Sequence, residues 1–423
     1  MVGLLFLAAA IVSLHVDAHP VLSQFDETLH VDYLYKAARG DVVQRGEYIG
    51  QRAAHEAACR GIDWPEFVPP PCGVRPYNVV ALLNLGYNTA DVHPPTYYFL
   101  TAWLSAPFTA TGASLVTIGR LVGMLWLGSG LVLTWIAGRR IKIGAWPLAA
   151  ALVLIATTPS VIHASSIVSP DATSLFGGAL VLIATVSWEQ RTWPTWALLA
   201  SGFLAGMLRS TNLLAVLAGC GYLLVRAIQA RKDRPVLRRT MAGVVGLGAS
   251  GIVALVGWFV VREVVAITGP VPIAEWFGAP RLEVGDLVAG ASALVTPVQN
   301  ALVPAFLATR WVPLVQVSLH WMMALTSVAT FAFPGMPARL RSMAMGGIVG
   351  MTIGGLGLVA LQFLVFGIAL DVPTRYGLSL LPVLGVVVAG ASDRRFFRWV
   401  PVALAGFSLL IIGVPLIEGA IAA

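Results

Sequence analysis

The sequence predicts an all-α protein that crosses a membrane many times. Of its 423 residues, 57% are hydrophobic and only 11% are charged, whereas soluble domains carry about 25% charged residues. Long apolar runs recur along the chain, and their lengths suit helices that cross a bilayer. A transmembrane β-barrel would instead show shorter segments of alternating polarity. We therefore expect one helical transmembrane domain over residues 1–423.

About eleven apolar runs are candidate membrane spans. The first run, Met1 to Val16, has no Lys or Arg before it. A cleaved signal peptide normally has a basic start, so we interpret this run as a retained span. Several runs are short for a bilayer, which indicates tilted or re-entrant helices. The predicted spans are 1–18, 115–138, 146–163, 171–188, 195–208, 211–229, 240–262, 312–334, 343–369, 376–391 and 399–418.

Four basic clusters orient these spans. They fall on one side of the membrane if segment 95–110 does not cross it, and its Pro-Pro start and aromatic residues suit a helix at the interface. The positive-inside rule makes that side cytoplasmic in a cell inner (plasma) membrane. Because the basic residues are explained by orientation, the net charge of +7 does not indicate nucleic acid. The clusters are Arg139–Lys142, Arg226–Arg239, Arg339 with Arg341, and Arg394–Arg398.

The opposite face then receives two large loops, 19–114 and 263–311. In the first, Thr28 to Arg39 predicts a short amphipathic helix that Gly40 ends. In the second, the apolar stretch 287–307 is either an interfacial helix or a further span. We favour the interfacial helix, because a further span would invert the later basic clusters.

Two of the three cysteines, Cys59 and Cys72, share the first outer loop. If this loop faces an oxidising compartment, the two residues are expected to form a disulfide. A zinc site is the alternative, but two cysteines without close histidine partners make a poor one. Cys220 lies inside an apolar run, where a small buried side chain is the expected role.

Ionisable side chains gather in the turns of the predicted outer face. A charge beside apolar membrane helices is costly, which makes each of them a candidate for function. They are Asp26, Glu27, His30, His93, Asp171, Arg209, Arg310 and Arg375, with the aromatic Tyr376 next to the last.

In their order along the chain, these motifs resemble the GT-C superfamily of membrane glycosyltransferases, which use polyprenyl-phosphate sugars. The resemblance is to an actinobacterial-type branch that is distant from aminoarabinose, mannosyl and arabinofuranosyl transferases. Thr374 stands where the superfamily usually has Gly, and Arg209 where many members have Lys. The motifs are Phe25-Asp26-Glu27 with His30, His93-Pro94-Pro95-Thr96-Tyr97-Tyr98, Ile167-Val168-Ser169-Pro170-Asp171-Ala172, Gly206-Met207-Leu208-Arg209-Ser210-Thr211-Asn212, and Thr374-Arg375-Tyr376 with Leu381-Pro382.

The resemblance implies a GT-C-like bundle with interfacial helices in the first outer loop. It also implies an inverting enzyme that moves a sugar from a polyprenyl-phosphate donor to a cell-envelope glycan or glycolipid, with its active site outside the cytoplasm. The alternatives are a transporter or flippase of lipid-linked sugars and a non-catalytic scaffold. Transporters usually show internal repeats and charges near the bilayer midplane. The charges here gather at one edge, which favours the enzyme.

The resemblance implies that Asp26 is the general base that takes a proton from the acceptor. Glu27 holds acceptor hydroxyls or orients a neighbour. The alternative from the residues alone is that both acids cap the helix that follows, because acids are favoured at helix N-termini. His30 either tunes Asp26 or is a solvated loop histidine.

The remaining candidates are expected to bind substrate. His93 is assigned to the donor phosphate or the acceptor, and Asp171 to sugar hydroxyls, with helix capping as the alternative. Arg209, Arg375 and Arg310 are the expected phosphate ligands, because a guanidinium group matches phosphate oxygens and stays charged. The alternative for the arginines is snorkelling to lipid head groups.

Two further expectations concern charge partners and cofactors. Arg120 lies at the start of a span, and a structural ion pair with an acid of the outer loop is the preferred interpretation. No cofactor is expected, although Asp26, Glu27 and Asp171 could together hold a divalent metal through oxygen ligands.

Overall fold

The computed structural model describes residues 1–24, 26–64, 67–267, 281–295, 312–367, 371–393 and 399–422. Within these ranges the chain forms sixteen α-helices, and β pairing is limited to two isolated bridges, Leu22 with Ile62 and Tyr48 with Tyr87. The helical class that the composition predicts is therefore confirmed.

The first eight helices include the outer segment and the start of the bundle. They are α1 (Val2–Ala18), α2 (Glu27–Ala37), α3 (Gln51–Arg60), α4 (Thr96–Thr109), α5 (Leu115–Arg140), α6 (Ala145–Ala156), α7 (Pro159–Ser166) and α8 (Ser174–Glu189). The remaining helices are α9 (Thr195–Leu208), α10 (Leu213–Gln229), α11 (Arg234–Val264), α12 (Val284–Ala293), α13 (Val312–Ala332), α14 (Ala338–Phe366), α15 (Leu381–Ser392) and α16 (Trp399–Ala422).

Among the described residues, seven helices are long and apolar enough to cross a membrane. An eighth span results if α6 and α7 are counted as one, although the chain bends by 63° between them. Pro159 is the first residue of α7, and a proline cannot donate the hydrogen bond that would continue α6. The multi-pass prediction is confirmed, whereas the predicted count of eleven spans is not established. Two of the eleven, α1 and α9, have only 17 and 14 residues.

Helix α8 lies at the centre of the bundle. In its most apolar stretch, which includes the turn before it, 89% of the residues are buried. The corresponding share is 22% for α11 and 28% for α16, which lie at the periphery. It packs against α5 on one side and against α9 and α10 on the other. A helix buried on all faces is the element best able to carry functional residues in a fixed position.

The outer segment forms a second, smaller core around α2 and α4. The predicted amphipathic helix is confirmed as α2, and Leu29, Tyr33 and Leu34 are buried as expected. Its polar side is also buried, however, because the segment folds over it. Lys36 is held there at 2.6 Å from Asp32. Segment 95–110 contains the expected helix, α4.

A disulfide joins Cys59, near the end of α3, to Cys72. It closes the Pro-rich part of the first outer loop. With both sulfur atoms bonded to each other, neither is available as a zinc ligand.

The second outer loop is described only in part. Within the predicted stretch 287–307, the described residues belong to α12 and the two that follow it, and α12 packs against α14. Arg310 lies outside the described residues.

Candidate active site

Three short 3-10 helices meet at one end of the bundle. They are Pro170–Thr173, Ser210–Asn212 and Thr374–Leu380, and each leads directly into an α-helix, α8, α10 or α15. The first turn of a helix presents unsatisfied N–H groups and the positive end of the helix dipole. Three such ends at one place make the region favourable for an anion.

Two glycines of α8 let the other two turns approach this closely. A Cβ on Gly178 would lie 2.0 Å from the backbone oxygen of Ser379, and a Cβ on Gly177 would lie 2.7 Å from Nδ2 of Asn212. Both distances are shorter than any side chain tolerates. Small residues at such crossings are how membrane helices bring backbones together.

Asp171, Arg209 and Arg375 form one ionic cluster at these turns. Arg209 pairs with Oδ1 of Asp171, and Nε of Arg375 lies 3.2 Å from Oδ2. The ring of Tyr376 lies beneath both guanidinium groups, with its centroid 5.0 Å from the Arg209 carbon Cζ and 5.6 Å from that of Arg375. Two arginines against one carboxylate leave one positive charge in the cluster.

Two alternative roles, helix capping by Asp171 and snorkelling of Arg209 to lipid head groups, do not fit the structure. The cap of the first 3-10 helix is Ser169, whose side chain accepts a hydrogen bond from the backbone N–H of Asp171. Asp171 is therefore not the capping residue. Arg209 is only 1% exposed, which excludes snorkelling to lipid head groups as its role.

Asp26 precedes α2 in a left-handed backbone conformation, with φ of 56°. Its side chain makes no capping hydrogen bond to the helix, so the capping interpretation is wrong for this residue. The residue is exposed to solvent and lines a pocket with Arg209 and Arg375. Burial raises the pKa of the Asp26 carboxyl, with nearby Arg375 opposing the shift and Asp171 adding to it.

Glu27 points away from this pocket and is fully buried. Its Oε1 accepts hydrogen bonds from Nε of Arg120 at 2.7 Å and from the N–H of Val168 at 2.9 Å. Its Oε2 accepts from Nη2 of Arg120 and the N–H of Ser23, both at 2.7 Å. Burial alone would raise the pKa of this carboxyl, but Arg120 and the two N–H groups hold it below the usual range.

These contacts favour the second of the two roles expected for Glu27, that of orienting a neighbour. Its four contacts use the lone pairs that an acceptor hydroxyl would need, so it positions the start of α2 instead. The predicted ion pair between Arg120 and an acid of the outer loop is confirmed.

His30 and His93 lie side by side on the pocket wall, with ring centroids 5.4 Å apart. Nδ1 of His30 forms a 2.7 Å hydrogen bond with the hydroxyl of Tyr98, whose ring stacks on Tyr33 at 3.9 Å. His30 is 5% exposed, which rules out a solvated loop histidine. Burial lowers the pKa of both histidines, that of His93 to about 3. Both are neutral near pH 7 and offer hydrogen bonds without charge.

The turn before His93 is fastened to the end of α11. Nε1 of Trp258 donates to the backbone oxygen of Val92 at 3.2 Å, and Nε of Arg262 lies 2.6 Å from Oδ2 of Asp91. Burial raises the pKa of Asp91 to about 6, although Arg262 opposes the shift. Nothing in the sequence connects these residues with His93, because Arg262 stands at the end of a long apolar run.

The pocket itself has an open volume of about 30 Å³. Seven predicted residues line it: Asp26, His30, His93, Asp171, Arg209, Arg375 and Tyr376. Five more residues line it: Ile167 and Ser169, which belong to the motif around Asp171, and Ser160, His163 and Ala164, which no motif included. The signal for these was the polar stretch 157–169, which interrupts the apolar run that was interpreted as a continuous span.

Asp26, Glu27 and Asp171, the acids that could together have held a metal, are directed to different partners or surroundings. Glu27 is committed to Arg120, and Asp171 to Arg209 and Arg375. In the part of the chain that the structure describes, no three side chains of His, Cys, Asp or Glu are grouped so that they could hold a metal ion.

The fold of this chain is similar to that of a solved structure. Specifically, the chain is similar to the crystal structure of ArnT from Cupriavidus metallidurans bound to undecaprenyl phosphate. The similarity covers 98% of this chain at 18% sequence identity, with a TM-score of 0.51. This chain spans 62% of the length of that ArnT chain. No protein-family model and no curated protein sequence matches this chain.

Proposed function

We propose that this protein is an inverting glycosyltransferase that moves a sugar from a polyprenyl-phosphate donor to a hydroxyl of a cell-envelope glycan or glycolipid. One observation carries the proposal: in a fold similar to that of ArnT, the carboxyl of Asp26 shares a pocket with the arginine pair Arg209 and Arg375. Sugar transfer from a phosphate donor needs such a base and such a cationic group. The undecaprenyl phosphate bound to ArnT supports the chemical class of the donor.

In the proposed reaction, the acceptor oxygen attacks the anomeric carbon as the carboxylate of Asp26 takes the hydroxyl proton. The bond from that carbon to the phosphate oxygen breaks, and its electron pair leaves with the polyprenyl phosphate. A raised pKa makes Asp26 a stronger base than an ordinary aspartate, provided that it is ionised at the working pH. A single displacement inverts the configuration at the anomeric carbon.

The departing phosphate gains negative charge, and the ionic cluster is suited to stabilise it. Arg209 and Arg375 carry one positive charge more than Asp171 neutralises. The N-terminal ends of α8, α10 and α15 add partial positive charge at the same place. His93 contributes hydrogen bonding only, since its Nδ1 is buried and has no hydrogen-bond partner among the described residues.

Donor binding requires the cluster to rearrange. An open volume of about 30 Å³ accommodates about two water molecules, whereas a sugar phosphate is much larger. We infer that the donor phosphate separates Asp171 from at least one arginine. The released carboxylate is then free to accept hydrogen bonds from sugar hydroxyls, the role that the sequence motifs imply for it.

The test is sugar transfer by the purified full chain from labelled polyprenyl-phosphate sugars to cell-envelope acceptors. Asp26→Asn should abolish transfer, and Asp41→Asn, an exposed aspartate of the same outer segment, should have no effect. Full activity of Asp26→Asn would eliminate Asp26 as the base. Movement of the intact donor across proteoliposomes without transfer would indicate a transporter instead.

We propose that the pocket faces outside the cytoplasm, on the evidence of the basic clusters. In intact cells, a cysteine at Asp41 should react with a membrane-impermeant maleimide, and one at Lys232 should not. The reverse labelling pattern would refute this orientation.

A further inference from the structure

A second cavity lies at the C-terminal ends of α8 and α10, the ends opposite to the active-site turns. It has an open volume of about 240 Å³ and is formed by the end of α8, the end of α10 and the start of α11. Its charged lining residues are Glu189, Arg191, Arg226 and Arg239. Helix α8 has 16 residues, so about 24 Å separates this cavity from the active-site turns.

The cavity holds more positive charge than its carboxylate neutralises. Glu189 is shared by Arg226, whose Nη2 lies 2.9 Å from Oε1, and by Arg339, whose Nε lies 3.0 Å from Oε2. Three arginines and one glutamate in the lining give a net charge of +2. A single anion with two or more negative oxygens would balance this charge.

The basic residues are also held in place, which distinguishes them from flexible surface charges. The guanidinium of Arg239 lies 4.6 Å from the ring centroid of Trp188. It donates a 2.7 Å hydrogen bond to the backbone oxygen of the same residue. Nη1 of Arg226 donates to Oε1 of Gln229, another lining residue, at 2.6 Å.

The ordinary explanation for basic residues at helix ends is membrane orientation. It accounts for exposed charges such as Arg231 and Arg238. It does not require three arginines to line one concave space around a glutamate that is already paired. Basic pockets between membrane helices are a recognised form of site for phosphate-bearing head groups.

We propose that this cavity binds a phosphate group, supplied either by the head group of an anionic phospholipid or by a soluble phosphate compound. The ligand class follows from the net charge, the fixed guanidinium groups and the donor geometry of arginine. This site is independent of the proposed transfer reaction, because none of its residues lines the active-site pocket.

Two arms of one binding experiment separate the sources of phosphate. In the first, native mass spectrometry of the detergent-purified full chain measures binding of phosphatidylglycerol, with diacylglycerol as the lipid without phosphate. In the second, isothermal titration measures binding of sodium pyrophosphate. The arm in which the parent protein binds identifies the source of phosphate. In that arm, Arg191→Gln and Arg239→Gln should each weaken binding about tenfold or more.

The matched control is Arg238→Gln, which removes the same charge from an exposed neighbour outside the cavity. It should change binding by less than about twofold, because long-range charge alone is screened by salt. Equal losses in Arg238→Gln and Arg239→Gln, or no loss in Arg191→Gln and Arg239→Gln, would overturn the proposal. Arg191 lies on an exposed turn, so its variant reports on binding even if replacement of Arg239 impairs folding.

Discussion

Replacing Glu27 with glutamine should destabilise the protein by about 3–5 kcal/mol. The carboxylate accepts four hydrogen bonds, two on each oxygen, all between 2.7 and 2.9 Å. A glutamine keeps one acceptor oxygen and presents an NH2 group to the other two donors. The loss of two hydrogen bonds to a charged group costs about 1.5–3 kcal/mol each. A buried ion pair broken on one side costs about 3–5 kcal/mol, so the two estimates agree.

The same change should reduce sugar transfer through the position of Asp26. The backbone N–H groups of Ser23 and Val168 donate hydrogen bonds to Glu27. These bonds hold the chain that precedes α2 against the turn that precedes Asp171. Unfolding in detergent, followed by circular dichroism, gives the stability, and transfer by the same preparation gives the activity. Asp41→Asn is the control, since its pair with Arg39 is 59% exposed on the aspartate side and should contribute at most about 1 kcal/mol.

A Glu27→Gln variant that is inactive but as stable as the parent would refute this reasoning and return Glu27 to the chemistry. The pH dependence gives a second check. Because the folded-state pKa of Glu27 is lowered, its contribution is complete above the unfolded value of about 4.3. It is lost as the pH falls through the lower folded-state pKa. The parent should therefore lose stability on acidification in that range, and the variant should lose less.

The remaining predictions concern the pocket. Because the pKa of Asp26 is raised, the transfer rate should increase with pH through a value above about 3.9, the ordinary aspartate pKa; a midpoint at or below that value would contradict its role as base. Arg375→Ala should lower kcat/KM for the donor about 10²–10³-fold, as loss of one oxyanion ligand does elsewhere, and unchanged donor kinetics would remove Arg375 from the site. Gly178→Val should displace the turn at Ser379 and cost about 1–3 kcal/mol, whereas Gly257→Val, which has open space around its Cβ, should be neutral; equal effects would refute the close-approach argument. Treatment with EDTA should leave transfer unchanged, and a loss that Mg²⁺ restores would show a metal requirement.

The predicted site residues that the structure describes share one property: each lies in the first turn of a helix or in the turn just before one. Such turns are local features, so the residues Asp171, Arg209 and Arg375 were recognisable without the fold. Their pairing was not, because Arg375 is 204 residues from Asp171. For Arg120 the sequence predicted an acidic partner in the outer loop, but it did not identify that partner as Glu27, which is 93 residues away. Only the packing of α8 against the other turns decides which charges meet. The bend before His163 was missed for a related reason, since an apolar run of spanning length conceals a break within it.

The adjacent acids Asp26 and Glu27 show most clearly what sequence alone could not separate. As neighbours with the same chemistry, they were both assigned to catalysis. The backbone divides them: the helix begins at Glu27, and the left-handed conformation of Asp26 sends the two side chains in different directions. Glu27 meets Arg120 and its pKa is lowered, whereas Asp26 meets the pocket and its pKa is raised. Carboxyl groups whose environments shift their pKa values apart are suited to different tasks. Glu27, whose pKa is lowered by Arg120 and two backbone N–H groups, anchors the start of α2, and that anchor leaves the more basic Asp26 open to an acceptor.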